Sequence, residues 1–172
     1  NPVNAAVILK HNNPCGAALA ESLSKAFEKA LECDSVSAFG GIVAFNKPVN
    51  SKTAELLSNI FLECVVAPSF SKDALNILSS KRNLRLLEIN KNMIEPNKKG
   101  SCKSIMGGLL IQDFDNKFSN SQEWINVTQK KPSDQQLRDL KFSWQICKHV
   151  KSNAIVIAKN EMTIGIGAGQ MN

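Results

Sequence analysis

Lys10 and His11 are adjacent at the end of the apolar segment Ala5–Leu9, and they form the most chemically suggestive pair in the sequence. Histidine can accept and return a proton near neutral pH, and a neighbouring ammonium group can stabilise negative charge that develops on a substrate. The pair therefore predicts a proton-transfer site. A solvated strand end followed by a turn residue would explain the same dipeptide without any chemistry.

The geometry of a strand limits this interpretation. Successive side chains of a strand point to opposite faces, so Lys10 and His11 can reach one substrate only where the strand ends or bulges. Residues 12–16 read Asn-Asn-Pro-Cys-Gly, which is rich in turn-forming residues and predicts such an end.

Further positions suit contact with a ligand. Gly40, in Ser37–Gly41, predicts a turn with close backbone approach, either for packing or for a ligand. Glu63 heads an apolar strand, where a carboxylate needs a partner or a ligand. Asn153 precedes another apolar strand and by default caps or turns the chain.

Residues 165–169 are glycine-rich but lack the spacing and the helix of a dinucleotide-binding loop. They therefore predict close backbone approach to a strand or a planar ligand.

Charge and composition exclude several classes of protein. The chain has 21 Lys and Arg residues against 15 Asp and Glu residues, so its net charge is 21 − 15 = +6, and this charge favours anionic ligands. Only three of the basic residues are Arg, namely Arg82, Arg85 and Arg138, and this scarcity of Arg weighs against nucleic-acid binding. The five cysteines lack zinc-site spacing and the chain has two histidines, so we expect neither a metal site nor a disulfide scaffold.

Location and completeness can also be predicted. The apolar stretches are far shorter than the roughly 20 residues of a membrane-spanning helix, and no targeting segment is recognisable, so we expect a cytoplasmic protein. The missing initial Met and the abrupt end after a glycine-rich strand predict that the chain is a piece of a longer polypeptide.

The spacing of apolar residues predicts strands that alternate with helices. Strands are predicted at residues 7–9, 41–45, 64–67 and 84–89, and a hairpin at 154–166. Residues 105–112, with Gly107 and Gly108 inside them, are predicted to form a further strand or a bulged strand. Four helices are predicted. The first spans residues 17–33, the second has Ala54, Leu57 and Phe61 on its inward face, and the third begins after Ser71 as its N-cap. The fourth begins at a capping box of Ser133 and Gln136, and its inward face carries Leu137, Leu140, Trp144, Cys147 and Val150. This pattern favours an α/β fold with a largely parallel sheet covered on both sides.

Two polar stretches separate these elements. Residues 90–101 are predicted to form a loop. Residues 113–131 are the predicted domain boundary, so that a first unit spans 1–130 and a new unit opens at 131–172.

Five segments that occur in order give the sequence a specific resemblance. They are residues 9–17 (Leu-Lys-His-Asn-Asn-Pro-Cys-Gly-Ala), 37–46, 107–113, 151–156 and 163–171. Together they closely resemble the transformylase part of the family of bifunctional AICAR transformylase/IMP cyclohydrolase enzymes, in its bacterial form, over essentially the whole chain.

The resemblance has implications for fold and assembly. The family's transformylase is built from two subdomains similar to the cytidine deaminase fold, a three-layer α/β/α sandwich, and lacks the deaminase zinc. It implies that residues 1–130 are the first subdomain, and that 131–172 are the opening helix and β-hairpin of an incomplete second one. It also implies a homodimer that binds a nucleotide and a folate, with active sites across the interface and a fused IMP cyclohydrolase domain outside this chain.

The resemblance also implies a reaction. A formyl group passes from the co-substrate 10-formyltetrahydrofolate to the 5-amino group of aminoimidazole carboxamide ribotide, in de novo purine biosynthesis. That amine is a weak nucleophile because its lone pair is delocalised into the ring, so the reaction needs a base and a stabilised oxyanion. His11 matches the family's proton acceptor and Lys10 its neighbouring lysine. Asn153 matches the asparagine that holds the carboxamide, and Gly40 the glycine whose backbone lies against the nucleotide. Glu63 matches a carboxylate that contacts the nucleotide, where part of the family has the shorter Asp.

The activity of the isolated chain is a separate question. The family's phosphate-binding Arg residues and most of its folate contacts lie outside this chain, so we expect it alone to have little or no transformylase activity. Two alternatives stay open, namely a basic nucleotide- or RNA-binding module without catalysis, and a dimerisation scaffold.

Overall fold

A computed structural model describes residues 3–89, 100–113, 115 and 124–169. The strands are β1 (Asn4–Lys10), β2 (Asn13–Ala20), β3 (Gly41–Phe45), β4 (Leu62–Ala67), β5 (Arg85–Glu88), β6 (Ser101–Ile105), β7 (Gly108–Gln112), β8 (Ala154–Lys159) and β9 (Met162–Ala168). The helices are α1 (Leu23–Cys33), α2 (Ser51–Ser58), α3 (Lys72–Leu78) and α4 (Asp134–Cys147).

One mixed sheet organises the fold, with the strand order β5-β4-β3-β1-β2-β9-β8. The pairs β3–β4 and β4–β5 are parallel, because helices α2 and α3 carry the chain back between them. All other pairs in this sheet are antiparallel. The predicted α/β class is confirmed, and the predicted largely parallel sheet is wrong because two tight hairpins, β1–β2 and β8–β9, contribute antiparallel strands.

The β1–β2 hairpin differs most from the sequence prediction. The turn consists of His11 and Asn12 alone, with φ of 51° and 65°, and residues 13–20 form a strand rather than a turn and the start of a helix. Two consecutive residues with positive φ make the tight turn whose twist suits a hairpin. Pro14 is tolerated in the strand because it lies where the pairing register shifts.

Helix α1 therefore begins at Leu23, where the Ser22 side chain accepts a hydrogen bond from the backbone N–H of Lys25. It packs on β1 and β2 and buries Phe27 completely. Its approach to β2 is so close that a β-carbon on Gly16 would lie 2.0 Å from the carbonyl oxygen of Ala30. Glycine at this position lets helix and sheet meet.

Helices α2 and α3 cover the parallel part of the sheet. As predicted, Ser71 caps α3, and Ala54 and Leu57 of α2 are buried. The prediction that Phe61 points inward is wrong, because α2 ends at Ser58 and leaves Phe61 44% exposed in the connection to β4.

Helix α4 opens with the predicted capping box, in which Ser133 and Gln136 each bond the other's backbone N–H. The predicted inward face is only partly correct. Val150 is buried, but Leu140 and Trp144 are exposed, and Phe142 is the buried residue of the helix. Since α4 packs mainly against the edge strand β8, only part of its apolar surface is covered by the described residues.

Two further predictions concern the middle of the chain. Residues 105–112 are not one strand, because Met106 and Gly107 turn the chain between β6 and β7, which form a separate two-stranded sheet. Of the predicted loop, residues 90–99 lie outside the described residues, and Ser101 already belongs to β6.

The last hairpin extends the main sheet. The predicted strands at 154–166 are confirmed as β8 and β9, and the backbone N–H of Leu19 in β2 donates a 2.9 Å hydrogen bond to the carbonyl of Glu161 at their turn. The division into subdomains at residue 131 stays a prediction. In the part of the chain that the structure describes, no helix has the length and apolar character needed to cross a membrane.

Candidate functional site

Most of the predicted site residues lie along one edge of the sheet, the one at which β1 ends and β3, β4 and β5 begin. Strand β1 runs antiparallel to β3, so its end at Lys10 lies beside the start of β3 at Gly41. Strands β4 and β5 run parallel to β3, so Glu63 and Arg85 also lie near this edge. The topology thus places Lys10, Glu63 and Arg85 at the same end of neighbouring strands, although Lys10 and Arg85 are 75 positions apart in the chain (85 − 10 = 75).

Lys10 and Gly40 are in direct contact. The Lys10 ammonium donates hydrogen bonds to the carbonyl oxygens of Phe39 at 2.7 Å and Gly40 at 3.2 Å. Gly40 has a φ of 65°, and its N–H donates to the carbonyl of Phe61 at 2.8 Å. The predicted turn at Gly40 is confirmed, with close packing against Lys10 and Phe61, and contact of its backbone with a ligand stays a prediction. Lys10 is a half-buried, hydrogen-bonded residue rather than a freely solvated strand end.

His11 lies just beyond the end of β1, on the turn to β2, and is exposed. The strand therefore ends between the two members of the Lys10–His11 pair, which meets the geometric condition for both to serve one substrate. Within the described residues, no hydrogen bond holds the His11 ring. The imidazole is accessible to a ligand.

Asn153 approaches the same hairpin turn from another part of the chain. The side-chain oxygen of Asn13 accepts a 2.9 Å hydrogen bond from the backbone N–H of Lys151, two residues before Asn153. Asn153 itself is exposed, and its carbonyl accepts a hydrogen bond from the N–H of Gly169 at 3.1 Å. The β1–β2 turn and the entry to β8 thus meet at one end of the molecule.

The glycines of β9 differ from the expectation of close packing. A β-carbon on Gly165 or Gly167 would meet no atom of the described residues within 4 Å. Close approach to another strand is therefore not the reason for these glycines within the described part of the chain, and the alternative of a ligand stays a prediction.

Glu63 has a protein partner that the sequence analysis did not identify. The Arg85 guanidinium donates a 2.9 Å hydrogen bond to the Glu63 carboxylate across the β4–β5 pair. Both side chains are substantially exposed, at 68% for Arg85 and 47% for Glu63. The two residues are 22 positions apart, so only knowledge of the strand pairing could have linked them.

Two aromatic rings complete this edge. Phe39 and Phe61 contact each other with ring centroids 5.1 Å apart and both are exposed, on either side of the Gly40 turn. Phe61 also lines a cavity of about 440 Å³ together with Lys81 and Arg82. A planar ligand that packs on these rings would lie beside the Lys10 ammonium, since the ammonium and the Phe61 ring both lie next to Gly40.

Other parts of the molecule offer less chemistry. A cavity of about 540 Å³ between α4, β8 and residues 126–132 contains none of the predicted site residues. Burial raises the pKa of the Cys15 thiol to about 11, and it also raises the pKa values of Cys33 and Cys64, so these groups are neutral thiols and poor nucleophiles at pH 7. In the described ranges, no cluster of three or more His, Cys, Asp or Glu side chains could hold a metal ion.

Comparison with known proteins gives the family. The family described as AICARFT/IMPCHase bienzyme matches residues 1–172. Two relatives, each named bifunctional purine biosynthesis protein PurH, come from Prochlorococcus marinus strains MIT 9515 and AS9601 and are 62% and 65% identical over 168 residues. The match covers 98% of this chain and 32% of each relative, so the chain spans about a third of their length.

Among solved structures, Acinetobacter baumannii RibD is similar to 52% of this chain, which corresponds to 29% of the RibD chain. The TM-score is 0.42 and the sequence identity is 17%, too low to identify the fold. The family match is decisive because it covers every residue of the chain. The chain belongs to the AICARFT/IMPCHase bienzyme family.

Proposed function

We propose that the chain is the part of a formyltransferase that carries its reactive lysine and histidine. In this proposal the full-length protein transfers a formyl group from 10-formyltetrahydrofolate to the 5-amino group of aminoimidazole carboxamide ribotide. The observation that carries the proposal is the Lys10 ammonium bound to the Gly40 turn, with His11 following on an exposed hairpin turn. The family and the chemistry of these residues support the same reaction.

His11 acts as the base in this proposal. The substrate amine attacks the formyl carbon, a C–N bond forms, and the imidazole takes the proton that the amine loses. The formyl oxygen becomes an oxyanion in the tetrahedral intermediate. When the intermediate collapses, the bond to the folate nitrogen breaks, and that nitrogen receives a proton.

Lys10 stabilises the oxyanion or helps to protonate the departing folate nitrogen. An ammonium group carries three donors, and the carbonyls of Phe39 and Gly40 use two of them. The third is available for the substrate. Because both bonds go to one turn, the ammonium position is set before substrate binds, and preorganised charge is what favours the transition state.

The remaining site residues bind and orient the nucleotide. We propose that Asn153 holds the carboxamide, that the Gly40 backbone lies against the nucleotide, and that Glu63 accepts a hydrogen bond from it. The hydrogen bond between Asn13 and Lys151 supports this arrangement, since it joins the turn of His11 to the segment of Asn153.

The wider proposal concerns the whole protein. It has two subdomains of cytidine deaminase-like fold, forms a cytoplasmic homodimer, uses no zinc, and carries an IMP cyclohydrolase domain outside this chain. The 172-residue chain by itself should show little or no formyl transfer, because remote contacts to phosphate and folate supply binding energy that orients the reacting groups.

The direct test is His11→Ala in the full-length protein, assayed for formyl transfer. Loss of general base catalysis should lower kcat by about 100-fold or more. His149→Ala is the matched control, because His149 is also an exposed histidine but lies after α4. Near-normal turnover of His11→Ala, or an equal loss in the control, would remove His11 from its role.

A further inference from the structure

We propose that Arg85 is a positioning residue that holds the Glu63 carboxylate in place for the nucleotide. The inference rests on the proposed function, in which Glu63 contacts the nucleotide. It concerns an ion pair that joins the first residue of β5 to the second residue of β4, beside the Gly40 turn.

The strand pairing shows how Glu63 comes to face Arg85. Gly41 of β3 is paired with Leu62 and Ile42 with Cys64, so Glu63 is an extra residue that bulges from β4. On the other side of β4, Arg85 is the register partner of Cys64. In a regular strand Glu63 and Cys64 would point to opposite faces, so the bulge is what allows Glu63 to share a side with Arg85.

Stability does not account for this pair. An ion pair between two exposed side chains contributes little to folding, and a bulge interrupts the backbone pairing of the strand. Bulges recur beside active sites, where they redirect a side chain. A bulge whose effect is to bring a carboxylate to an exposed guanidinium is better explained by ligand binding.

The contact leaves part of the carboxylate available. Arg85 donates through Nη1 to Oε2 of Glu63, and the same nitrogen lies 3.5 Å from the carbonyl oxygen of Asn83. Within the described residues, Oε1 of Glu63 accepts no hydrogen bond. One oxygen is therefore held by the protein while the other can accept a hydrogen bond from a hydroxyl group of the nucleotide.

The Arg85 guanidinium also offsets the negative charge of the Glu63 carboxylate. A nucleotide is anionic, and an isolated carboxylate in its binding site would repel it. With Arg85 bound, the pair has no net charge, so Glu63 can accept a hydrogen bond without that cost. Arg suits this task because its guanidinium is always protonated and planar.

The test is made in the full-length protein with Arg85→Gln, Arg85→Lys, Glu63→Gln and the double variant Glu63→Gln/Arg85→Gln. We expect Arg85→Gln to raise the KM for the nucleotide and its Kd by calorimetry about three- to fivefold, which corresponds to one exposed charge-assisted contact. The kcat and the KM for the folate should not change, and Arg85→Lys should restore part of the affinity. The double variant should be no weaker than Glu63→Gln, because Arg85 acts through Glu63.

Arg138→Gln is the matched control, since it removes the same charge from an exposed arginine of α4, which carries none of the proposed binding residues. An unchanged Kd in Arg85→Gln, an equal loss in Arg138→Gln, or additive losses in the double variant would each overturn the inference. Failure of the proposed function can be told apart from failure of this inference. An unsubstituted protein that binds the nucleotide but transfers no formyl group would refute the proposed reaction, and the calorimetric comparison of the variants would still test the role of Arg85. A protein that binds no nucleotide would overturn both.

Discussion

Replacing Gly40 with alanine perturbs the contact on which the proposed site depends. Gly40 has a φ of 65°, and a β-carbon there would lie 3.1 Å from Nζ of Lys10 and 3.4 Å from Cε1 of Phe61. The left-handed conformation costs alanine about 1–2 kcal/mol relative to glycine, so we expect Gly40→Ala to lower the free energy of unfolding by about that amount.

A second effect should be on catalysis. The new methyl group meets the hydrogen-bonded end of a long side chain, so the Lys10 ammonium moves and its bonds to the carbonyls of Phe39 and Gly40 weaken. At 3.1 Å the ammonium has to move by a few tenths of an ångström. Since a displacement of about 1 Å in a catalytic group can cost about 100-fold, we expect kcat/KM for formyl transfer to fall by roughly 3- to 10-fold. Steady-state kinetics of the full-length protein, together with denaturant unfolding, measure both effects.

Gly107→Ala provides a matched control. Gly107 also has a positive φ, of 79°, but a β-carbon there would meet no described atom within 4 Å. This variant should lose a similar amount of stability and keep its kcat/KM. Full activity in Gly40→Ala, or an equal loss of activity in Gly107→Ala, would refute the reasoning that Gly40 and Lys10 form one unit.

Two further predictions concern stability. In Gly16→Ala the β-carbon would lie 2.0 Å from the backbone oxygen of Ala30, which cannot rotate away. The free energy of unfolding should therefore fall by about 3 kcal/mol or more. A loss below about 1 kcal/mol, measured by denaturant titration, would contradict the close contact of α1 with β2. Burial, aided by the nearby Asp34 charge, raises the pKa of Cys15 from 9.0 to about 11, so deprotonation favours the unfolded chain and stability should fall between pH 9 and pH 11. Cys15→Ala should reduce that slope, and an identical pH dependence in the two proteins would count against the buried thiol.

Local signals in the sequence predicted the elements that depend on local physics. The N-cap at Ser71 and the capping box of Ser133 and Gln136 are confirmed, since each involves side chains within three residues of the N–H groups that they bond. Strand β3 is confirmed because its apolar run is bounded by glycine and by a polar turn.

The β1–β2 hairpin shows where such signals mislead. Asn13 and Pro14 are typical turn residues, and the small apolar residues that follow suit a helix as well as a strand. The hairpin forms because β2 has neighbours on both sides, β1 and β9, and those pairings override local preference.

The candidate site was partly predictable for a similar reason. Lys10, His11 and Gly40 carry recognisable chemistry in short segments, so the sequence identifies them individually. The partnership of Glu63 with Arg85, and the exposed ring pair of Phe39 and Phe61, arise from strand pairing and from the end of α2, which no spacing along the chain reveals.

The central claim is that Lys10, His11 and Asn153 serve one substrate. A crystal structure of the full-length protein with the aminoimidazole nucleotide bound tests it most directly. The account predicts the Lys10 ammonium, the His11 imidazole and the Asn153 amide within hydrogen-bonding reach of the same ligand, with Lys10 still bound to the Gly40 turn. A ligand seated elsewhere, with the imidazole and the ammonium directed away from each other, would contradict it.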